Sequence, residues 1–144
     1  MIRFISIIIF LLFSTSFANS QCNQSLVTSC SAKVSSTAMF MQQYRAKLDA
    51  QGEDKDLPIS RFSVLLNKGN TYKFDVCSAN DSEGEAILQL YDGGKLVAST
   101  FHNASQNNFK AFEFFCRKSA IYKIQISFID GKAGCAVGIL SMKK

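Results

Sequence analysis

The sequence predicts an all-β protein, an antiparallel β-sandwich of about seven strands preceded by one N-terminal α-helix. Three observations predict this fold. Apolar and polar side chains alternate in short segments after residue 58. Turn sequences rich in glycine and asparagine separate these segments, and no helical stretch interrupts them. The chain has thirteen phenylalanines and no tryptophan, a composition that suits an apolar core between two sheets.

Residues 1–20 have the three parts of a secretory signal peptide. Arg3 is their only charge, the run 4–13 is apolar apart from one serine, and small residues at Ala18 and Ser20 allow cleavage after either one. The apolar run is about half of the roughly 20 residues that span a bilayer, so a cleaved signal is predicted rather than an anchor. No later stretch is apolar enough to span a membrane. The mature protein is therefore expected to be secreted or periplasmic.

Residues 21–57 are interpreted as an N-terminal arm followed by an amphipathic helix. The polar stretch 21–32 predicts an irregular arm. In 33–50, apolar side chains recur at spacings of three and four, which predicts a helix with one apolar face. These side chains are Val34, Ala38, Met41, Tyr44 and Leu48. A charged linker at 53–56 ends the helix, and the sandwich domain is placed at 58–144.

Seven strands are predicted within 58–144, in the order in which their alternation appears. They occupy residues 59–66, 72–76, 87–91, 96–101, 112–116, 122–128 and 135–142. The sixth segment has the clearest pattern, with Tyr122, Ile124 and Ile126 on one face and polar residues on the other. Turns are predicted at 67–70, 92–94 and 130–132, and polar loops at 78–85 and 102–108. These boundaries leave room for two packed sheets.

The charge of the chain is moderate, a formal +5 that falls to +4 when Arg3 is removed with the signal. The basic residues are scattered along the sequence, and no block resembles a patch that tracks phosphates, which excludes nucleic acid as the expected partner. They include Lys33, Arg45, Lys47, Lys68, Lys73, Lys110, Arg117, Lys118, Lys123 and Lys132. A soluble, mildly basic surface is preferred over a surface that binds an anionic polymer or a membrane.

All five cysteines, Cys22, Cys30, Cys77, Cys116 and Cys135, follow the predicted cleavage site. Disulfides are expected in an exported protein, and an odd number leaves at least one cysteine free or paired with another chain. None forms a Cys-x-x-Cys pair, which disfavours a zinc site. Two bridges among five cysteines allow fifteen patterns. The predicted strand ends favour Cys77 with Cys116, and either Cys22 or Cys30 with Cys135.

The densest acidic cluster lies in the loop 80–85, where Asp81, Glu83 and Glu85 are candidate ligands for calcium. Calcium prefers six to eight oxygen ligands, and sandwich loops can supply them. The spacing does not match an EF-hand loop, so a solvated loop is the preferred interpretation. No other cofactor is expected.

No catalytic constellation is found. The sequence has no G-x-S-x-G and no H-E-x-x-H. A nucleophile would need a base, and His102, the only histidine, falls in a polar loop where a surface role is preferred. The protein is therefore predicted not to be an enzyme.

Three segments carry a resemblance to a known family. Residues 66–74 read Leu-Asn-Lys-Gly-Asn-Thr-Tyr-Lys-Phe, residues 88–94 read Leu-Gln-Leu-Tyr-Asp-Gly-Gly, and residues 120–126 read Ala-Ile-Tyr-Lys-Ile-Gln-Ile. With these motifs, the stretch 58–142 resembles the bacterial pre-peptidase C-terminal-like (PPC-like) domain. The resemblance implies a jelly-roll-like sandwich that is non-catalytic, in a family of which some members bind matrix proteins or polysaccharides. The cysteines, the N-terminal helix and the absence of an accompanying enzyme depart from that family and indicate a stand-alone branch.

The segment 130–138 is similar to small exported proteins of the Bacteroidetes, a similarity that implies no function. Together, the patterns predict a non-catalytic exported binding or accessory module that recognises a protein or glycan partner through its sandwich loops. The alternative is a structural or assembly component of the cell envelope, disulfide-linked to a partner through its unpaired cysteine.

Overall fold

Antiparallel β-strands dominate the computed structural model, which describes residue 22 and residues 24–144. The predicted signal peptide, residues 1–20, lies outside the described residues. The elements in chain order are α1 (Gln24–Ser31), β1 (Ala38–Leu48), β2 (Ser60–Leu66), β3 (Thr71–Ser78), β4 (Ala86–Asp92), β5 (Lys95–Ser99), β6 (Phe101–His102), β7 (Asn107–Asn108), β8 (Ala111–Phe115), β9 (Ala120–Phe128) and β10 (Gly134–Lys143). A 3-10 turn, Ile129–Gly131, joins β9 to β10. No helix in this part of the chain is long and apolar enough to cross a membrane.

Two four-stranded sheets pack face to face as a sandwich. Sheet A has the strand order β1-β10-β3-β8, and sheet B has the order β2-β9-β4-β5. A third, minimal sheet pairs β6 with β7. Every pairing is antiparallel. The predicted β-sandwich is confirmed, and all seven predicted strands are present.

The helix predicted at 33–50 is wrong, because most of this segment forms strand β1. Strand β1 pairs with β10 from Ala38–Lys143 to Leu48–Gly134, and it supplies hydrogen-bond partners for one edge of a buried strand. A register shift between Phe40 and Gln42 interrupts the period of two along this strand.

The N-terminal helix predicted before the sandwich does exist, but it lies in the stretch that was predicted to be an irregular arm. Helix α1 covers the outer face of sheet A. Its Val27 and Cys30 are buried against Cys77, Val137 and Ile139 of β3 and β10. Strand β10 is therefore covered on both faces, which accounts for its nearly continuous apolar sequence.

Two disulfides fasten this N-terminal segment to sheet A. Cys22 is bonded to Cys135, and Cys30 is bonded to Cys77. The first bridge is one of the two predicted for Cys135. The predicted Cys77–Cys116 bridge is wrong, because Cys77 points outward under α1 whereas Cys116 lies in the core between the sheets. Cys116 is the free cysteine, fully buried, with its Sγ donating to the carbonyl of Lys118 at 3.2 Å.

The core between the two sheets is built from the inward-facing residues of both. Tyr72 and Phe74 of β3, Leu88 of β4, and Ile124 and Ile126 of β9 are fully buried there. The ring of Phe74 stacks on Phe112 of β8 with 5.1 Å between centroids. In contrast to sheet A, no helix of the described chain covers the outer face of sheet B.

Tyr44 brings a hydroxyl into this core without a partner. The residue is 2% exposed, and no described group hydrogen-bonds its hydroxyl. Desolvation by burial raises the pKa of Tyr44 from 10.0 to about 12. A raised pKa means that the folded state holds its proton more tightly than the unfolded state. The resulting stabilisation is complete below pH 10 and is lost as the pH rises through 12.

We expect Tyr44→Phe to change the unfolding free energy at neutral pH by less than about 1 kcal/mol, because no hydrogen bond is lost. Between pH 10 and 12, the unfolding free energy of the variant should fall by about 2 kcal/mol less than that of the wild type. Urea denaturation across this pH range measures both effects. Tyr91→Phe, which removes a half-buried hydroxyl near Gln89, is the control. Equal alkaline destabilisation of wild type and Tyr44→Phe would contradict the assignment.

Candidate binding site at the acidic end

Three loops meet at one end of the sandwich. Strands β1, β3 and β9 end there, and strands β2, β4 and β10 begin there, as their paired terminal residues show. Three backbone hydrogen bonds of 2.7 to 2.9 Å join the loops, from the amides of Gln51, Gly84 and Ile129 to the carbonyls of Gly131, Ala133 and Glu85. We call the loops 49–59, 79–85 and 129–133 together the acidic end.

The acidic end collects most of the carboxylates of the protein. Eight of the eleven acidic residues lie in its loops, and all eight are exposed. They are Asp49, Glu53, Asp54, Asp56, Asp81, Glu83, Glu85 and Asp130. The same loops contain only two basic residues, Lys55 and Lys132. Charges that are dispersed in the sequence are thus concentrated by the fold, and this end has a strongly negative field.

A cleft of about 610 Å³ opens at the acidic end, on the uncovered face of sheet B. Its floor is formed by Ile87 of β4 and Ser127 of β9, which are cross-strand neighbours. One wall comes from the β1–β2 loop with Gln51 and Leu57, and the 3-10 turn closes the end. The β6–β7 hairpin forms the other wall, with Phe101, Asn103 and Gln106.

Side-chain hydrogen bonds hold the two walls of the cleft in place. In the β1–β2 loop, the Gln51 side-chain amide donates to the carbonyl of Lys55 at 2.6 Å. Asn108 fastens the hairpin to β4, because its side-chain amide donates to the carbonyl of Ala86 at 2.9 Å and to a carboxylate oxygen of Glu85 at 3.1 Å. The cleft is therefore a formed feature of the folded chain rather than a gap between loose loops.

The turn at the end of the cleft depends on glycine. Asp130 and Gly131 both have left-handed backbone angles, with φ of 57° and 64°. A Cβ on Gly131 would lie 2.5 Å from the side-chain oxygen of Gln51, so a larger residue would displace that side chain and strain the left-handed backbone. A second cleft of about 510 Å³ lies on the other side of this turn and is lined by Asp81 and Glu83.

The calcium candidates do not form a ligand cluster. Asp81 and Glu83 line the second cleft, whereas Glu83 and Glu85 line a smaller cavity with Asp130 and Lys132. Within residues 22 and 24–144, no group of three or more His, Cys, Asp or Glu side chains is arranged to hold a metal ion. Calcium binding stays a prediction without geometric support.

His102 lies in the exposed hairpin at β6, and its ring contacts the edge of Phe109 at 5.2 Å between centroids. That contact is hydrophobic in character.

No family model and no curated protein matches this chain. Among solved structures, the chain is similar to PliG from Aeromonas hydrophila, a periplasmic lysozyme inhibitor of g-type lysozyme. The TM-score is 0.53 with 10% sequence identity, and the alignment covers 77% of this chain and 92% of PliG. At this identity, the likeness shows a shared fold. The resemblance to PPC-like domains stays a prediction.

The sequence indicated the loops of the acidic end but not the cleft. The linker, the acidic loop and the 102–108 segment were each predicted to be polar loops. Their approach depends on strand pairings that are far apart in the sequence. Gln51 and Gln106 carry no motif that would identify them as lining residues. The acidic composition of 49–56 and 80–85 was the only signal, and its meaning depended on knowing that both loops lie at the same end.

Proposed function

We propose that this chain is an exported, non-catalytic module that binds a basic protein partner through its acidic end. The observation that carries the proposal is the concentration of eight exposed carboxylates, from three loops, around two open clefts. Complementary charge speeds association and excludes like-charged partners. The cleft adds apolar and amide groups, from Leu57, Phe101 and Gln106, that can fix the orientation of the partner.

The structural likeness supports a protein rather than a glycan as the partner. PliG is a periplasmic inhibitor of g-type lysozyme, and this chain is similar to it in fold. The two disulfides agree with an oxidising compartment, so the chain is expected to work in the periplasm or outside the cell. A g-type lysozyme is therefore the first partner to test, in both a binding assay and a cell-wall lysis assay.

The alternative function, a structural or assembly component of the cell envelope, requires an accessible unpaired cysteine. Cys116 is 0% exposed and lies behind Tyr122 and the 116–119 loop. A mixed disulfide with another protein would require this part of the core to open. No described feature favours covalent assembly, and the binding module is the better-supported function.

Neutralising three carboxylates tests the role of the acidic end. We expect the triple variant Glu53→Gln, Asp56→Asn and Glu83→Gln to slow association with the partner about tenfold at low salt. The difference should shrink as salt increases, because screening removes the steering field. Surface plasmon resonance between about 25 and 500 mM salt measures both effects.

The matched control adds the same charge elsewhere. Ser36→Lys, Gln42→Lys and Asn67→Lys also make the protein more positive by three units, at exposed positions outside the acidic end. If both triple variants slow association equally, net charge alone matters and the acidic end is not the binding surface. If neither variant changes association with g-type lysozyme or a panel of basic envelope proteins, the proposed function is wrong.

A further inference from the structure

The end of the sandwich opposite the acidic end is basic. Strand ends bring the turns 67–70 and 92–95 next to the loop 116–119. The amide of Gly69 donates to the carbonyl of Cys116, and the amide of Lys68 donates to the hydroxyl of Ser119, both at 2.8 Å. The start of β1 and the end of β10 lie at the same end of sheet A, where Ala38 pairs with Lys143. We call this whole region the basic end.

Most charges of the basic end are free cations. It contains the six basic residues Lys68, Lys95, Arg117, Lys118, Lys143 and Lys144. Two of them are neutralised, because Lys118 pairs with Asp92 and Lys143 pairs with Glu113, both at 2.8 Å. Within the described chain, no carboxylate pairs with the other four.

Exposed apolar side chains are concentrated at the same end. Seven of the nine large hydrophobic side chains that the described chain exposes lie within four residues of a strand terminus here: Met39, Phe40, Met41, Leu65, Leu96, Phe115 and Ile121. Ile121 and Leu65 are the most exposed, at 63% and 59%, and they are direct cross-strand partners on the outer face of sheet B. Such a concentration on a small domain marks an interaction surface.

A slot enters the protein at this end between the edges of the two sheets. Its volume is about 230 Å³, and its apolar lining comes from Val97 of β5, Phe114 of β8 and Tyr122 of β9. Arg117 also lines the slot, together with Lys118 and Asp92, which pair with each other. The slot thus combines an apolar interior with one cation, Arg117, that no carboxylate of the described chain neutralises.

We propose that the basic end binds the surface of an anionic lipid bilayer. The apolar side chains surround the end on both sheets instead of lining one groove, which suits a deformable planar surface. Apolar insertion and attraction of lysine and arginine to anionic headgroups act together in such binding. The carboxylates are collected at the other end, so a negative bilayer would repel the acidic end and leave its clefts facing away. This inference does not depend on the identity of the protein partner.

Flotation with lipid vesicles tests the charge requirement. The protein, purified from the exported fraction, should bind vesicles of phosphatidylglycerol and phosphatidylcholine and should not bind vesicles of phosphatidylcholine alone. We expect Lys68→Gln, Lys95→Gln and Arg117→Gln together to lower the partition coefficient about a hundredfold. Lys47→Gln, Lys110→Gln and Lys132→Gln remove the same charge away from the basic end, and this control should lower it by less than about threefold.

The apolar requirement separates a bilayer from other anionic partners. Leu65→Thr with Ile121→Thr should lower partition about tenfold while leaving strand propensity intact. The control pair Leu57→Thr and Phe109→Thr changes the two exposed hydrophobic residues of the opposite end and should leave partition unchanged. Thermal denaturation of each variant confirms that it is folded.

Three results would overturn the proposal. The first is equal partition into neutral and anionic vesicles, or into neither. The second is loss of binding in the charge variant with no effect of Leu65→Thr and Ile121→Thr, because that pattern indicates a soluble anionic polymer as the ligand. The third is self-association that increases with concentration in sedimentation velocity and is abolished by Leu65→Thr with Ile121→Thr, while vesicle binding stays unchanged. That pattern indicates that the apolar surface binds a second copy of the chain.

Discussion

Replacing Cys30 and Cys77 together with alanine is expected to lower the free energy of unfolding by about 4 kcal/mol. The bridge joins residues 47 positions apart, and the chain-entropy model gives about this value for a loop of that size. The variant keeps the Cys22–Cys135 bridge, so the measured loss belongs to one crosslink. Urea denaturation followed by circular dichroism measures it. A loss below about 1 kcal/mol would show that α1 is held by packing rather than by the bridge.

The same variant should loosen α1 before the rest of the protein. A helix of eight residues is not stable by itself in water, and Cys30 is the bonded residue on its buried face. Amide hydrogen exchange in 24–31 should therefore accelerate while exchange in β9 changes only with global stability. Cys116→Ser is the control, because it removes a buried thiol that forms no bridge. If β9 and α1 lose protection equally, the helix is not a separate unit.

Phe74→Ala should destabilise the sandwich by about 4 kcal/mol, in the range measured for large aromatic residues removed from cores. Phe74 is fully buried in the core between the sheets and its ring stacks on Phe112, so truncation removes this contact and leaves a cavity. Phe115→Ala is the matched control, because Phe115 is 54% exposed on the next strand. We expect that change to cost less than about 0.5 kcal/mol.

Chemical denaturation of the two phenylalanine variants compares burial directly. Similar destabilisation by both substitutions would mean that the assignment of inner and outer faces on sheet A is wrong. Near-wild-type stability of Phe74→Ala would mean that the core collapses around the cavity, which the stacking with Phe112 argues against.

Strands with one solvated face could be predicted from the sequence. In β9, Tyr122, Ile124 and Ile126 face the core, whereas Lys123 is exposed, so the period of two is visible. Strand β1 could not be identified because only Tyr44 and Ala46 of it are buried, and its exposed methionines and Phe40 imitate an amphipathic helix. Helix α1 was missed for a different reason. Only Val27 and Cys30 of this helix are buried, and Cys30 is bonded to Cys77 of the sheet beneath it.

The pairing of the cysteines and the charge separation depend on long-range geometry. Cys77 follows one predicted strand and Cys116 ends another, but Cys77 packs under α1 whereas Cys116 lies in the core between the sheets. Side-chain direction in a strand reverses with each residue, so a shift of one position decides whether a cysteine meets α1 or the core. Likewise, Lys68 and Arg117 are distant in sequence, and only the contact between their turns makes them neighbours.

Strand β10 lies between β1 and β3, although it is the last strand of the described chain to be synthesised. Sheet A therefore cannot assemble progressively. The strand that lies between β1 and β3 is missing until residues 134–143 have been made. Pairings of such large sequence separation form slowly, because chain closure must precede the contacts. Before that moment β1 has no partner strand, and Cys22 has no Cys135 to bond with. The pairing of β1 and the closure of this bridge therefore both wait for the last strand.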